Sequence, residues 1–414
     1  MSERADHISL MIDEQLACVS PTPSDHCIFG VYDEIRVENK KAYEPLKLAI
    51  GPYYYGKDKL KEMEEHKMRY LHQLFKKRNE TSVDKYIMAL GDVEERARKC
   101  YSESSVLNEY EFLKMMLLDG FFMIELFRRH ENDPIFQSHW FRVDIRRDLL
   151  LLENQLPFFI VVKLFNMTTD PNTHEDIRYL ALSFMEYVLP GPSLSKPSEI
   201  EVDDVKHLLH LVHNSMCASF GKVVSYGNEN DEWEFISSVT QLQEAGIELK
   251  AAKECNSLYD IKFNDGLLEI PPFSIGDETE SVFRNLIAYE QFLPDIHRRY
   301  VADYAKFMES LISSPSDTSL LRSCGIIKNF LGDDGVVCTM LNNLGNSAAL
   351  SKNFTYTQVF NNVNKHCKRP YNRWMANLRR NYFNSPWAFI SFVAAFVLLL
   401  LTVAQTIFSV LSYF

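Results

Sequence analysis

The chain has 414 residues, of which 46% are hydrophobic, 13% aromatic and 24% charged, a composition typical of a globular protein with one large core or a few smaller ones. It excludes disordered, collagen-like and small disulfide-stabilised proteins. The net charge of −12, from 44 Lys and Arg against 56 Asp and Glu, argues against a nucleic-acid partner, because phosphate binding requires a basic surface.

The first 26 residues predict a flexible N-terminal arm. They combine scattered charges with a Pro-Thr-Pro-Ser turn and contain no apolar run that resembles a secretory signal peptide. We predict a large helical domain over residues 27–382. Its first elements are a short extended stretch, a rigid turn at residues 51–56 and amphipathic helices over 58–78 and 84–101.

A strongly apolar segment at residues 111–127 predicts the central buried helix of this domain. It is too short and carries too many charges to be a membrane span. The sequence then predicts a helix over 144–152, a polar corner at 153–155 and a second helix that begins at Pro157. A Pro-, Gly- and Ser-rich stretch at 190–198 predicts a subdivision of the domain.

The second half of the chain is predicted to be mostly helical, with one β-hairpin. Apolar residues on both sides of Asp265-Gly266 predict a hairpin over 260–270 with a tight primed turn. The helices predicted around it cover residues 202–220, 232–244, 279–292, 298–312, 317–327, 334–344, 354–366 and 372–382.

Residues 386–410 predict a transmembrane helix. From Pro386 onward the chain carries no charge, and its apolar stretch exceeds the roughly 20 residues that cross a bilayer as a helix. A buried core helix is disfavoured, because too little chain surrounds it to cover every face. We expect Trp387 at the interface and Phe396, Leu400 and Leu401 in the span. The predicted fold class is mainly α, a large helical domain with a short β-hairpin and a single C-terminal transmembrane helix.

A basic cluster precedes the predicted span, and the rest of the chain carries 38 basic against 56 acidic residues. The positive-inside bias then predicts a tail-anchored, single-pass protein of the plasma membrane or endoplasmic reticulum with its large domain in the cytosol. Glycosylation sequons at Asn79, Asn166 and Asn353 would support the opposite topology if they were used. The membrane-proximal basic residues, which suit anionic lipid headgroups, are Lys365, Lys368, Arg369, Arg373, Arg379 and Arg380.

Eight dispersed cysteines without a C-x-x-C pair indicate isolated thiols in a reducing compartment. His207, His210 and His213 recur every third residue on one predicted helix and spread over an arc of about 120°. A metal site would therefore need a further ligand, such as Cys217 one turn later. We favour histidines along a partly buried helix flank and predict no metal site and no cofactor.

The sequence contains no P-loop, dinucleotide-binding, zinc-protease or EF-hand motif and no complete nucleophile elbow. We therefore predict no catalytic residues. The alternative is a membrane-tethered enzyme with an acidic pocket around Asp119, Glu153 and Glu290, although structural ion pairs with Arg284 or Arg146 are favoured for enclosed acids. An oligomeric channel ranks last, because the predicted span lacks ionisable residues.

Six segments carry a family resemblance in combination: 49–53 (AIGPY), 63–71 (MEEHKMRYL), 115–122 (MMLLDGFF), 148–159 (DLLLLENQLPFF), 279–291 (TESVFRNLIAYEQ) and Pro386-Trp387. From about residue 28 to its end the chain resembles the plant family called domain of unknown function 247, which includes UPF0481-like membrane proteins. It departs at Tyr54-Tyr55, where the family more often has two histidines, and at Met68, where it often has tryptophan.

The resemblance implies a plant membrane protein with a large helical domain and a C-terminal anchor. Family members in grasses are linked to pollen recognition in self-incompatibility, and no established catalytic residues accompany the family. We predict a tail-anchored, non-enzymatic protein that acts through protein–protein interaction in signalling or cell recognition. The expected partners are the lipid bilayer and another protein, without nucleic acid, and homo-oligomerisation stays open.

Overall fold

The computed structural model of the chain describes residues 26–103, 105–129, 139–170, 173–191, 200–221, 233–255, 257–294, 299–346, 348–369 and 386–412. Two compact units, each discontinuous in sequence, make up the chain. Unit 1 contains residues 1–189, 194–218 and 278–293, and unit 2 contains 190–193, 219–277 and 294–414.

The helices in chain order are α1 (Asp33–Arg36), α2 (Lys61–Arg78), α3 (Asp84–Gly91), α4 (Glu94–Lys99), α5 (Glu109–Arg129), α6 (His139–Asp148), α7 (Phe158–Thr168), α8 (Ile177–Met185), α9 (Leu208–Gly221), α10 (Val239–Glu244), α11 (Thr279–Glu290), α12 (Tyr300–Leu311), α13 (Pro315–Ser323), α14 (Asp334–Asn346), α15 (Thr357–Cys367) and α16 (Pro386–Leu411). The strands are β1 (Glu248–Ala251), β2 (Lys262–Asn264), β3 (Leu267–Ile270), β4 (Phe273–Ile275) and β5 (Ile327–Asn329).

Helix α5 forms the centre of unit 1 and confirms the predicted buried helix. It packs against α2, α3, α7 and α8, and every residue from Met115 to Phe127 is buried. Gly120 allows the close approach of α7, because a Cβ atom there would lie 2.5 Å from Leu164 Cδ1. The Tyr86 ring of α3 meets the Phe121 ring edge-on at 4.9 Å. The all-round apolar character of α5 therefore follows from contacts on several faces.

The β-structure of unit 2 contains the predicted hairpin and three further strands. β2 and β3 pair antiparallel, with Asn264 opposite Leu267, and both turn residues, Asp265 (φ 47°) and Gly266 (φ 84°), have the positive φ that a type I′ turn requires. β1 adds to β3 in parallel, and β4 pairs in parallel with β5. The prediction missed β1, β4 and β5 because strands of three or four residues show no readable periodicity.

Several predicted helices differ from the observed ones at their ends. The helix predicted over 317–327 is α13, which starts earlier at a Ser314 capping box with Asp317 and stops at Ser323. Gly325, with φ +74°, follows, and the chain then enters β5. The helix predicted over 232–244 is wrong in its first half, since α10 begins only at Val239.

Helix α16 is the one element of the described chain that is long and apolar enough to cross a membrane. The qualifying segment, Ile390–Leu411, has 22 residues, none of them buried. Phe396, Leu400 and Leu401 lie in its middle and are exposed, and Trp387 lies in the first turn of α16. The predicted fold class is confirmed: the chain is mainly helical, with small sheets and one C-terminal apolar helix.

Parts of the predicted domain division lie outside the described residues. Of the arm over 1–26 only His26 is described, and of the stretch 190–198 only residues 190 and 191 are. The helix predicted over 372–382 also lies outside the described range. The division into arm, helical domain and span therefore stays a prediction.

Candidate functional site

Four of the sequence motifs meet in one buried polar network of unit 1. The network surrounds residues 46–54, here called the motif loop, and draws its side chains from α2, α5 and the segment 148–155. Most of these contacts join a side chain to a backbone group of the loop, which has no strand partner of its own. The side chains thus satisfy buried backbone groups that would otherwise be costly.

Lys67 of α2 lies at the centre of this network. Its side chain is 1% exposed, and Nζ donates to Asp119 Oδ1 at 2.6 Å, to Glu64 Oε1 at 2.5 Å and to the backbone oxygen of Ala49 at 2.7 Å. Asp119 Oδ2 accepts the N–H of Gly51 at 2.8 Å. All three ammonium donors are therefore engaged, which a buried lysine requires.

The charges of this network are mutually dependent. Burial raises the pKa of Asp119 to about 6, although Lys67 opposes the shift. Burial also lowers the pKa of Lys67, but Asp119 and Glu64 outweigh it and keep that pKa above its ordinary value. Because the folded pKa of Asp119 exceeds its unfolded value, its contribution to stability is greatest in acid and is lost as the pH rises through about 6.

Gly51 is required by the backbone of the motif loop. Its φ is +73°, and a Cβ atom there would lie 2.4 Å from the backbone oxygen of Gln155. The same oxygen accepts the Tyr101 hydroxyl at 3.1 Å. A side chain at position 51 would therefore be strained and would also push apart the loop and the segment 148–155.

The segment 148–155 holds the other half of the loop. Asp148 accepts the N–H groups of residues 46–48 at 2.7–3.0 Å. Asn154 accepts the N–H of Ile50 at 2.7 Å and donates to the backbone oxygen of Leu48 at 2.9 Å. Burial raises the pKa of Asp148 to about 6, while Arg147 and the three N–H groups oppose that shift.

We expect Asp148→Asn to lower the free energy of unfolding by about 1–3 kcal/mol, because its amide nitrogen would face buried N–H donors and leave them unpaired. Chemical denaturation of the full chain in detergent measures this. The matched control is Asp144→Asn, one turn earlier on α6 and only half-buried, for which we expect less than about 0.5 kcal/mol. Equal effects of both variants would contradict the role of Asp148.

Glu153 anchors the chain before the motif loop and the last residue of the loop itself. It pairs with Arg36, accepts the N–H of Val31 at 2.8 Å and accepts the Tyr54 hydroxyl at 2.6 Å. Burial, followed by the Glu153 charge, raises the pKa of Tyr54 above its ordinary range. Tyr54, which stands where the family more often has a histidine, thus supplies a neutral hydrogen-bond donor.

A second cluster of unit 1 joins α9 and α11. His213 Nε2 lies 2.9 Å from Glu290 Oε1 and 3.8 Å from Cys217 Sγ, and all three side chains are buried. Burial lowers the pKa of His213, but Cys217 and Glu290 outweigh it and raise that pKa to about 10. Burial raises the pKa of the Cys217 thiol.

The other two histidines of α9 lie outside this cluster. His207 Nδ1 accepts the N–H of His210, and His210 Nδ1 accepts the N–H of Lys206. Burial lowers the pKa of both imidazoles, that of His210 to about 3. The three histidines therefore do not converge on one point, which agrees with the prediction from their spacing. Cys217, by contrast, lies beside His213.

The three acids of the alternative enzyme prediction each have their own structural partners. Asp119 pairs with Lys67, Glu153 with Arg36 and Glu290 with His213. The arginines suggested as partners are engaged elsewhere, Arg284 with Glu38 and Glu280, and Arg146 with the backbone oxygen of Phe184. Carboxylates that are occupied in this way give no support to a shared acidic pocket.

The predicted membrane-proximal basic residues are only partly described. Lys365, Lys368 and Arg369 lie at the end of α15 and are exposed, and Lys368 Nζ pairs with Glu234 Oε2 at 3.0 Å. The other three, Arg373, Arg379 and Arg380, lie outside the described residues. The contacts described for Lys365, Lys368 and Arg369 are compatible with a role of this cluster at a membrane.

The chain is thus a mainly helical protein, and its described residues contain one helix that could span a membrane. It matches DUF247, a family of plant proteins of unknown function, over residues 28–401, and belongs to that family. UPF0481 protein At3g47200 of Arabidopsis thaliana is 29% identical over 420 residues, covering 94% of this chain and 87% of the relative. Putative UPF0481 protein At3g02645 of the same plant is 23% identical over 485 residues, covering 94% and 90%. No solved structure matches the chain significantly.

Proposed function

We propose that the chain is a tail-anchored, non-enzymatic membrane protein whose helical part binds another protein in signalling or cell recognition. The observation that carries the anchor is α16, whose segment Ile390–Leu411 has no buried residue and no charge. Exposure of so much apolar surface to water is unfavourable, and insertion into lipid relieves it. The link of family members in grasses to pollen recognition supports the choice of cell recognition.

The chemistry of the buried clusters supports a non-enzymatic role. A thiol nucleophile needs a histidine whose two nitrogens face the thiol and an orienting acid separately. Here Cys217 and Glu290 both face Nε2 of His213, so this relay geometry is not formed. Asp119 and Glu153 are likewise committed to the motif loop and its flanks.

Protease protection of a doubly tagged chain in sealed microsomes tests the topology. With the helical part in the cytosol, the N-terminal tag is digested without detergent and the C-terminal tag is protected. Neutralising Arg373, Arg379 and Arg380 is expected to weaken targeting or invert this pattern. The matched control neutralises Lys57, Lys59 and Lys61, which are exposed on unit 1. Unchanged protection in the arginine variant would count against the charge-based orientation.

The redox state of two neighbouring cysteines gives an independent test of the compartment. Cys27 N–H donates to the Cys100 backbone oxygen at 2.8 Å, and both cysteines are free thiols. Neighbours in such a register lie close enough for a disulfide. In the cytosol we expect both to stay reduced, so alkylation with a polyethylene glycol maleimide should be equal before and after reduction. A disulfide that disappears in Cys27→Ser would contradict the cytosolic orientation.

Affinity capture tests the binding role. The full-length chain, cross-linked in native membranes and compared with the Leu400→Arg, Leu401→Arg variant, should retain a protein partner that survives stringent washing. Repeated captures that recover only lipid and copies of the chain itself would overturn the proposal of a separate protein partner.

A further inference from the structure

The His213, Cys217 and Glu290 cluster contains three different metal-ligating groups within unit 1. Their donor atoms lie within 4.8 Å of one another, and the side chains are 3%, 6% and 0% exposed. The i, i+4 spacing places His213 and Cys217 on one face of α9, and Glu290 is the last residue of α11. An imidazole, a thiol and a carboxylate are therefore brought together by two helices that are far apart in sequence.

The distances between the donor atoms suit ligands of one ion. Two ligand atoms held about 2.0–2.3 Å from one tetrahedral zinc ion lie about 3.3–3.7 Å apart. The observed separations from His213 Nε2 are 2.9 Å to Glu290 Oε1 and 3.8 Å to Cys217 Sγ. The third pair, Cys217 and Glu290, lies within 4.8 Å, so the thiol and the carboxylate would have to approach each other by up to about 1 Å to share a tetrahedral ion.

A divalent ion would also balance the charges of the cluster. Glu290 is a fully buried carboxylate, which is costly without a positive charge beside it. The ion would neutralise this carboxylate together with a Cys217 thiolate and would take the lone pair of His213 Nε2. The imidazole proton would then lie on Nδ1, as it also does in a protonated His213, so the unpartnered Nδ1 does not distinguish the two states.

We propose that His213, Cys217 and Glu290 bind one zinc ion, which braces α9 against α11. The donor set of thiolate, imidazole and carboxylate is one that zinc prefers, whereas magnesium and calcium prefer oxygen ligands alone. A water molecule would complete the tetrahedron. Three protein ligands and a water are the usual coordination of catalytic zinc, but the burial of all three ligands gives a substrate no direct access. We therefore assign the ion to stability, in line with the proposed non-enzymatic function.

Metal analysis tests this proposal on the full chain, purified in detergent with a tag that contains no histidine. We expect about one zinc per chain in the unmodified protein. Cys217→Ser and His213→Gln should lower zinc affinity by more than about 100-fold, since each removes a direct ligand. The matched controls, Cys338→Ser and His210→Gln, replace a buried thiol and a neighbouring histidine outside the cluster and should keep the zinc.

Cobalt substitution gives a readout that does not depend on any variant folding. After chelator treatment, Co²⁺ added to the unmodified chain should produce a thiolate-to-cobalt charge-transfer band, and the Cys338→Ser protein should show the same band. Less than about one-tenth of an equivalent of zinc together with no such band would overturn the proposal. Equal zinc content in Cys217→Ser and in the unmodified protein would overturn the assigned ligands. The topology and partner tests are independent of either result.

Discussion

Lys67→Met is expected to lower the free energy of unfolding by about 3–5 kcal/mol. The substitution preserves the apolar stem of the side chain but removes the charge that faces Asp119 at 2.6 Å. Asp119 is 1% exposed, so its carboxylate would remain buried with the N–H of Gly51 but without a counter-charge. Denaturant titration of the full chain in detergent, followed by tryptophan fluorescence and circular dichroism, measures the loss.

Two further variants separate the buried charge from helix effects. Lys61→Met removes an ion pair with Asp58 at the start of the same helix, and we expect little change because both side chains lie in water. Lys67→Met combined with Asp119→Leu should recover part of the lost stability, since no unpaired charge is then buried, although the Gly51 N–H and the Ala49 oxygen lose their side-chain partners. A Lys67→Met protein as stable as Lys61→Met would show that the network does not hold the motif loop.

The sequence predicts α5 and the hairpin well because each carries its own local signal. Leucine, methionine and phenylalanine on all sides of residues 115–127 require burial on several faces, and α5 is surrounded by other helices. The turn Asp265-Gly266 needs two positive φ values, which these residue types tolerate. By contrast, β1 depends on pairing with β3, whose residues lie about twenty positions further along the chain. Its strand is therefore fixed by tertiary contact.

The sequence indicates that Lys67 is a buried charge, but it does not indicate that Asp119 is its partner. Met63, Lys67, Tyr70 and Leu74 follow helical spacing, and all four are buried on α2. A lysine on the apolar stripe of an amphipathic helix is a signal for a buried charge. Its partner lies 52 residues away, and nothing local distinguishes Lys67 from Arg284 or Arg146 as the partner of Asp119. The error in the predicted partner thus arises from long-range packing.

The sequence likewise indicates only part of the His213, Cys217 and Glu290 cluster. The spacing of His213 and Cys217 by four residues identifies two candidate ligands on one helix face. The third group, Glu290, is 77 positions from His213 and lies among apolar residues of α11, where the sequence suggests only an enclosed acid. His207 and His210 are equally prominent in the sequence, but Nδ1 of each ring faces a backbone N–H group, and His210 Nε2 contacts the Asn214 side chain. Only the fold distinguishes them from His213.

Replacing Leu400 and Leu401 with arginine is expected to move the chain from the membrane fraction to the supernatant. Both residues lie at the middle of Ile390–Leu411, where an arginine raises the free energy of insertion by about 2.5–3.5 kcal/mol. The two substitutions together amount to about 5–7 kcal/mol. Flotation of detergent-free lysate and extraction at alkaline pH measure the membrane-bound share.

The matched control replaces the same two leucines with alanine, which shortens the side chains but adds no charge, and this variant should remain in the membrane fraction after alkaline extraction. A double arginine variant that still resists extraction would mean that contacts of the helical units retain the chain at the membrane. An unmodified chain that stays in the supernatant would mean that protein, and not lipid, covers the apolar surface of α16. In that case α16 would be a protein-binding helix, and the anchor would have to be abandoned.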